Sequence, residues 1–132
     1  NKDVIALMKM VERDPKININ SASDQRSLYM PFAMNRKVSI ITRAGCDFLI
    51  ESIIKLSKLN EYTVFNLLPA FSHLDKLKTN DQVMVIEGLL KVMENISEKD
   101  HPSVYNNIKR IIESSKTAVL AFEKAKGGVL RL

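Results

Sequence analysis

Val4-Ile5-Ala6-Leu7-Met8-Lys9-Met10, Ile50-Glu51-Ser52-Ile53-Ile54-Lys55-Leu56 and Ile86-Glu87-Gly88-Leu89-Leu90-Lys91-Val92 read as one phrase written three times. Each copy has an aliphatic residue, a small residue two places on, two large apolar residues, one lysine and a further apolar residue. Apolar residues at these intervals line one face of a 3.6-residue helix, so each copy predicts an amphipathic helix. The copies recur at roughly 35–47 residues, the range of stacked helical repeats. Two readings follow. The helices are repeated units, or they are separate amphipathic helices that look alike because Leu, Ile, Met and Lys build them all. Both make the chain all-α.

The flanking sequence extends each phrase into a helix with its own stop signals. The first runs from Lys2 to Arg13 and ends at Asp14-Pro15, because proline disfavours helical backbone in the residue before it. Residues 16–37 read as an irregular N-terminal connection, in which Ile17 and Ile19 suit a short extended piece and Ser23 caps a short helix limited by Pro31. Leu28 to Met34 is apolar without a clean period. Val38 to Thr42 prefers extended backbone but has no partner strand, so it leads into the helix Arg43–Leu59.

Asn60 caps the next helix, and Pro69, lacking an amide hydrogen, kinks or restarts it. Thr79-Asn80-Asp81-Gln82 has the form of a capping box at the head of the third phrase helix. Pro102 sits in the first turn of the last and longest helix, where its missing hydrogen removes no bond. That helix carries a stripe from Val104 through Ile108, Ile112, Ser115 and Val119 to Phe122, and Gly127-Gly128 stops it. Residues 127–132 are a short tail. The expectation is a single helical domain over 1–132, with five to seven helices in a compact bundle or a short repeat-like stack.

Composition agrees. At 132 residues, 45% of them hydrophobic, the chain is long enough to bury a real core, and 4 Gly and 4 Pro are too few for the turns of a sandwich or barrel. No apolar run approaches the roughly 18–20 residues that span a bilayer. The chain starts at Asn1 and enters helix at once, which suggests a piece cut from something longer. The single Cys46 has no intramolecular disulfide partner, so a reducing, cytoplasmic or otherwise intracellular compartment is expected. The phrase resembles armadillo and HEAT repeats in period and helix character. It lacks their distinguishing Pro, Gly and Asp/Arg positions at matching places, so the resemblance is one of architecture.

Chemistry is sparse. His73, His101 and Cys46 lie in different segments at no ligand-like spacing, so neither a metal nor a cofactor is expected. Ser72, His73 and Asp75 bring triad residue types together, but neighbours this close on one helix point in different directions. No catalytic residue is assigned. Function therefore rests on surfaces. In the Tyr29–Arg43 segment, Tyr29, Phe32 and Met34 join Arg36, Lys37 and Arg43 with no intervening acid, a composition favoured at protein interfaces and suited to stacked bases and phosphates. Lys124, Lys126 and Arg131 form a secondary basic tail. The outer face of the last helix, with Lys109, Glu113, Lys116, Leu120 and Glu123, alternates in sign and reads as a solvated face ranked below the Tyr29–Arg43 segment, with Leu120 its odd apolar member.

The reading is a non-catalytic interaction or assembly module whose partner is another protein or a second copy of the chain. The alternative is a nucleic-acid-binding accessory protein of viral or phage type, drawn from a net charge of +5 and a Lys/Asn/Ile bias.

Overall fold

Helical periodicity in every long apolar segment becomes helix in the computed structural model of the chain, which describes residues 2–16 and 21–132. The α-helices are α1 (Lys2–Glu12), α2 (Ala22–Met34), the single turn α3 (Arg36–Ser39), α4 (Arg43–Leu59), α5 (Glu61–Leu67), α6 (Thr79–Asn95), α7 (Pro102–Ser114) and α8 (Lys116–Lys126). Two 3-10 turns, Leu68–Phe71 and Leu74–Lys76, join α5 to α6. There is no strand among the described residues. The extended piece expected around Ile17 and Ile19 falls outside them.

The phrase helices lie at the centre. α4 packs against α1, α3, α5 and α6, and α6 packs in turn against α7 and α8. In α4 the phrase turns Ile50, Ser52, Ile53 and Leu56 inward, and in α6 it turns Ile86, Leu89 and Val92 inward, with Lys55 and Lys91 exposed. The second and third copies are thus structural equivalents, laid face to face. The small position of the third copy contributes to the fit. A Cβ on Gly88 would sit 2.7 Å from Ile50 Cγ1 and 2.9 Å from its Cδ1. The two helices approach as closely as the missing side chain allows. The first copy differs. Leu7 and Met10 are 58% and 67% exposed while Met8 is buried, so α1 offers another side of the phrase to α4. Its likeness to the other two is one of composition.

Several local expectations give way to longer-range contacts. The segment 16–37, expected to be irregular, contains α2, which starts one residue after Ser21. The N-cap is Ser21, whose hydroxyl accepts from Asp24 N, and Ser23 falls inside the helix. Pro31 lies inside α2 rather than ending it. Thr79 is the first residue of α6 rather than its cap, and Gln82 does not reach back along the helix. Its Nε2 donates instead to Asp75 O at 3.0 Å and Leu74 O at 3.4 Å, anchoring the preceding 3-10 turn.

The single long helix expected over 102–126 is two. Ser114 Oγ donates to Arg110 O and Ser115 Oγ to Ile111 O, and the backbone leaves the helix at Ser115 (φ −94°, ψ 66°). Adjacent serines bonding back to the preceding turn bend or break helices in this way. The head of α8 is capped from a distance, since Ala118 N donates to Asp75 Oδ1 at 3.1 Å. Asn60, Pro102 and Gly127 act as expected. Asn60 accepts from Tyr62 N, Pro102 opens α7, and Gly127 takes the left-handed conformation with φ 73°.

Candidate functional site

Tyr29, Phe32 and Ala33 lie at i, i+3 and i+4 along α2 and therefore share one face. That face is buried. The Tyr29 hydroxyl donates to the Glu12 carboxylate, and Lys55 Nζ lies 3.0 Å from the same carboxylate oxygen and 5.7 Å from the Tyr29 ring centroid. This cluster ties α1 and α2 to α4. Burial, reinforced by the Glu12 acceptor and its charge, pushes the phenol far above its ordinary pKa, so it is a permanent donor. Phe32 is 5% exposed and meets the Phe48 ring edge-on, with centroids 5.4 Å apart.

Of the other four candidate residues in the segment, Met34 is half-buried against the core. Arg36 donates through Nε to Ala70 O and through Nη2 to Pro69 O, both at 3.0 Å, and Nη2 reaches Ser72 Oγ at 3.3 Å. It thereby satisfies carbonyls at the end of the first 3-10 turn. Lys37 is exposed. Arg43 is exposed and lies 3.6 Å from Asp47 one turn on, an i,i+4 surface pair of the kind that contributes little. The segment does not bring its aromatics and cations onto one open face. Its aromatics point inward, and Lys37 and Arg43 are its open cations.

The basic tail is better held than its composition implies. Leu130 N donates to Glu123 Oε2 at 2.7 Å, and Leu130 packs against the core. Lys126 lies 3.2 Å from Glu87 of α6 and 5.9 Å from the centroid of the Phe122 ring. Lys124 and Arg131 point to solvent.

Folding the tail back turns the mixed-sign face of Lys109, Glu113, Lys116 and Leu120 into a concavity. The break at Ser115 sets α7 and α8 at an angle, and the tail closes a groove of about 470 Å³ between them. Ile112, Val119, Leu120, Leu130 and Leu132 give it an apolar lining, with Lys109, Glu113 and Lys116 also around it. Leu120 is 66% exposed and Leu132 41%. Leu120 was the available signal. Read as a point on one straight helix, it implied no concavity.

Three of the chemistry-bearing residues have structural partners. Asp75 caps α8, Ser72 accepts from Arg36, and His101 Nδ1 pairs with Glu61 at 3.0 Å. No group of three metal-ligating side chains occurs among the described residues. Nor is any described helix long and apolar enough to cross a membrane. Cys46 is buried, and its thiol is pushed up to about 12, chiefly by burial, with Asp47 and Asp81 adding to the rise and Arg43 opposing it. A raised thiol pKa favours the neutral form in the fold. The stability it contributes is complete below the unfolded value of about 8.5 and is lost as pH rises through that value toward the folded one. Alkylation of Cys46 at pH 8 should therefore be on the order of 1,000-fold slower in the native protein than in denaturant, because the thiolate is the nucleophile. Equal rates in a mass-spectrometric time course would contradict its burial.

No curated protein and no solved structure matches the chain. One family model does, over residues 1–113, a span that runs from before α1 through nearly all of α7. It covers the face-to-face phrase helices and stops short of α8. On that match the chain belongs to the family described as a domain of unknown function (DUF3458_C) with ARM repeats.

Proposed function

We propose that this helical domain is a non-catalytic protein-interaction module. The observation that carries the reading is the ARM-repeat family match over residues 1–113, which takes in the packed pair α4 and α6. Stacked helix pairs leave extended helical faces free, and such faces bind other proteins. Two parts of the surface are available. One holds the open cations of the Tyr29–Arg43 segment, Lys37 and Arg43. The other is the α7–α8 groove.

The test is affinity enrichment from the native source on the immobilised domain, followed by calorimetric titration of each enriched protein in purified form. The expected result is saturable binding of a protein at defined stoichiometry. The nucleic-acid alternative predicts enrichment of nucleic acid, with affinity falling steeply as salt rises because several phosphate contacts release counterions. That outcome, or the absence of any saturable protein ligand, overturns the proposal.

A further inference from the structure

We infer that the α7–α8 groove takes an acidic amphipathic helix from a partner protein, an inference that rests on the interaction reading above. The shape comes first. Leu120, Leu130 and Leu132 face a concavity walled by two helices and the returning tail, with Ile112 and Val119 deeper in it. A helix laid in such a groove inserts apolar side chains from successive turns, a recurrent mode of recognition. A bilayer meets flat or convex faces, and a phosphate backbone makes no use of an apolar floor.

Charge selects the partner. Lys109 and Lys116 lie at the groove, Lys124 follows Leu120 by one turn of α8, and Arg131 stands between two of the lining leucines. Among the described residues none of these four cations is in an ion pair. The one acid lining the groove is Glu113, and the nearby Glu123 carboxylate holds the tail amide. An incoming helix with carboxylates beside its apolar stripe meets Lys116 at the head of α8 and Lys109 one turn from Glu113 on α7, with Lys124 and Arg131 just outside the lining. A second copy of this chain, at net charge +5, would bring like charge to the same rim.

The experiment uses the whole 132-residue chain and a fluorescein-labelled peptide of roughly 15 residues, long enough for a helix in a groove. The peptide carries leucines at i, i+3, i+4 and i+7, with glutamates flanking them. A matched peptide carries lysines in their place. Anisotropy titrations at low salt should show saturable binding of the acidic peptide and at least a tenfold preference over the basic one. Leu120→Glu should abolish binding. The double variant Lys109→Glu/Lys116→Glu should weaken the acidic peptide at least tenfold and improve the basic one. Both variants alter exposed or rim side chains, and unchanged circular dichroism spectra are the check that they keep the fold.

No binding of the acidic peptide at tens of micromolar, or equal binding of both peptides, overturns the inference. So does concentration-dependent dimerisation, or binding to vesicles of anionic phospholipid, if Leu120→Glu removes it. The broader interaction reading stands or falls separately. If an enriched partner binds Leu120→Glu as well as it binds the wild type but loses Lys37→Glu/Arg43→Glu, the groove assignment is wrong while the module reading survives.

Discussion

Phe32→Ala should destabilise the domain by about 3–5 kcal/mol, the usual loss for truncating a buried phenylalanine. Phe32 is almost fully buried, and its ring meets Phe48 of α4 edge-on. Removing it deletes that aromatic contact and leaves a void between α2 and α4. The neighbours Ala33 and Tyr29 are fixed on the same face, and Tyr29 is further held by Glu12, so the void collapses only in part. For a domain whose total stability is about 5–15 kcal/mol, this is a large fraction. Urea unfolding should show a lower midpoint with an unchanged slope. Arg43→Ala, on an exposed side chain in a surface pair, should stay within about 0.5 kcal/mol of wild type. If Phe32→Ala instead left the midpoint in place and removed partner binding, the ring would belong to an interface, as the bare composition of the segment suggests.

That contrast locates the limit of the sequence. α4 and α6 were legible because their apolar residues keep a clean helical period and Asn60 supplies a local stop. The inward turn of Tyr29 and Phe32 was not. Leu28 to Met34 is apolar nearly all round, so no pattern chose a face. What chose it were Glu12, Lys55 and Phe48, each distant in sequence and brought in by α1 and α4. The same holds for Arg36, whose acceptors lie more than thirty residues on. The break at Ser115 had a local cause in Ser114-Ser115, but serine is tolerated within helices, and the unbroken stripe from Val104 to Phe122 outweighed it. The head of α8 is capped by Asp75, 43 residues earlier in the chain, which no local pattern encodes. Because the groove exists only through that break and the folded-back tail, it was invisible in a linear reading, even though Leu120 was singled out.

Gly88→Leu should destabilise the domain by about 3 kcal/mol or more, at the upper end of overpacking effects. The lone glycine in the middle of α6 is a liability for the helix by itself, since alanine there would favour helical backbone by roughly 0.5–1 kcal/mol. It nevertheless lies directly against Ile50 of α4. Any Cβ at this position meets Ile50 Cγ1 at 2.7 Å, with Cys46 Sγ 3.8 Å away. Ile50 is buried and flanked by the buried Leu49 and Ile53, so it yields only if the helix seam repacks. Gly88→Ala sets the propensity gain against that clash and should fall well short of the leucine variant in its effect. The cause can be isolated with a double-mutant cycle. Ile50→Ala removes both atoms that the new side chain strikes, so Gly88→Leu should be less harmful in that background, with a coupling of about 1 kcal/mol or more. Cys46 supplies an independent readout, because separating α4 from α6 opens the thiol to water. Gly88→Leu should speed its native-state alkylation at pH 8, and the Ile50→Ala background should slow it again. Unchanged stability and unchanged alkylation in Gly88→Leu would mean that the α4–α6 seam is not set by the missing side chain, and the equivalence of the second and third phrases would lose its physical basis.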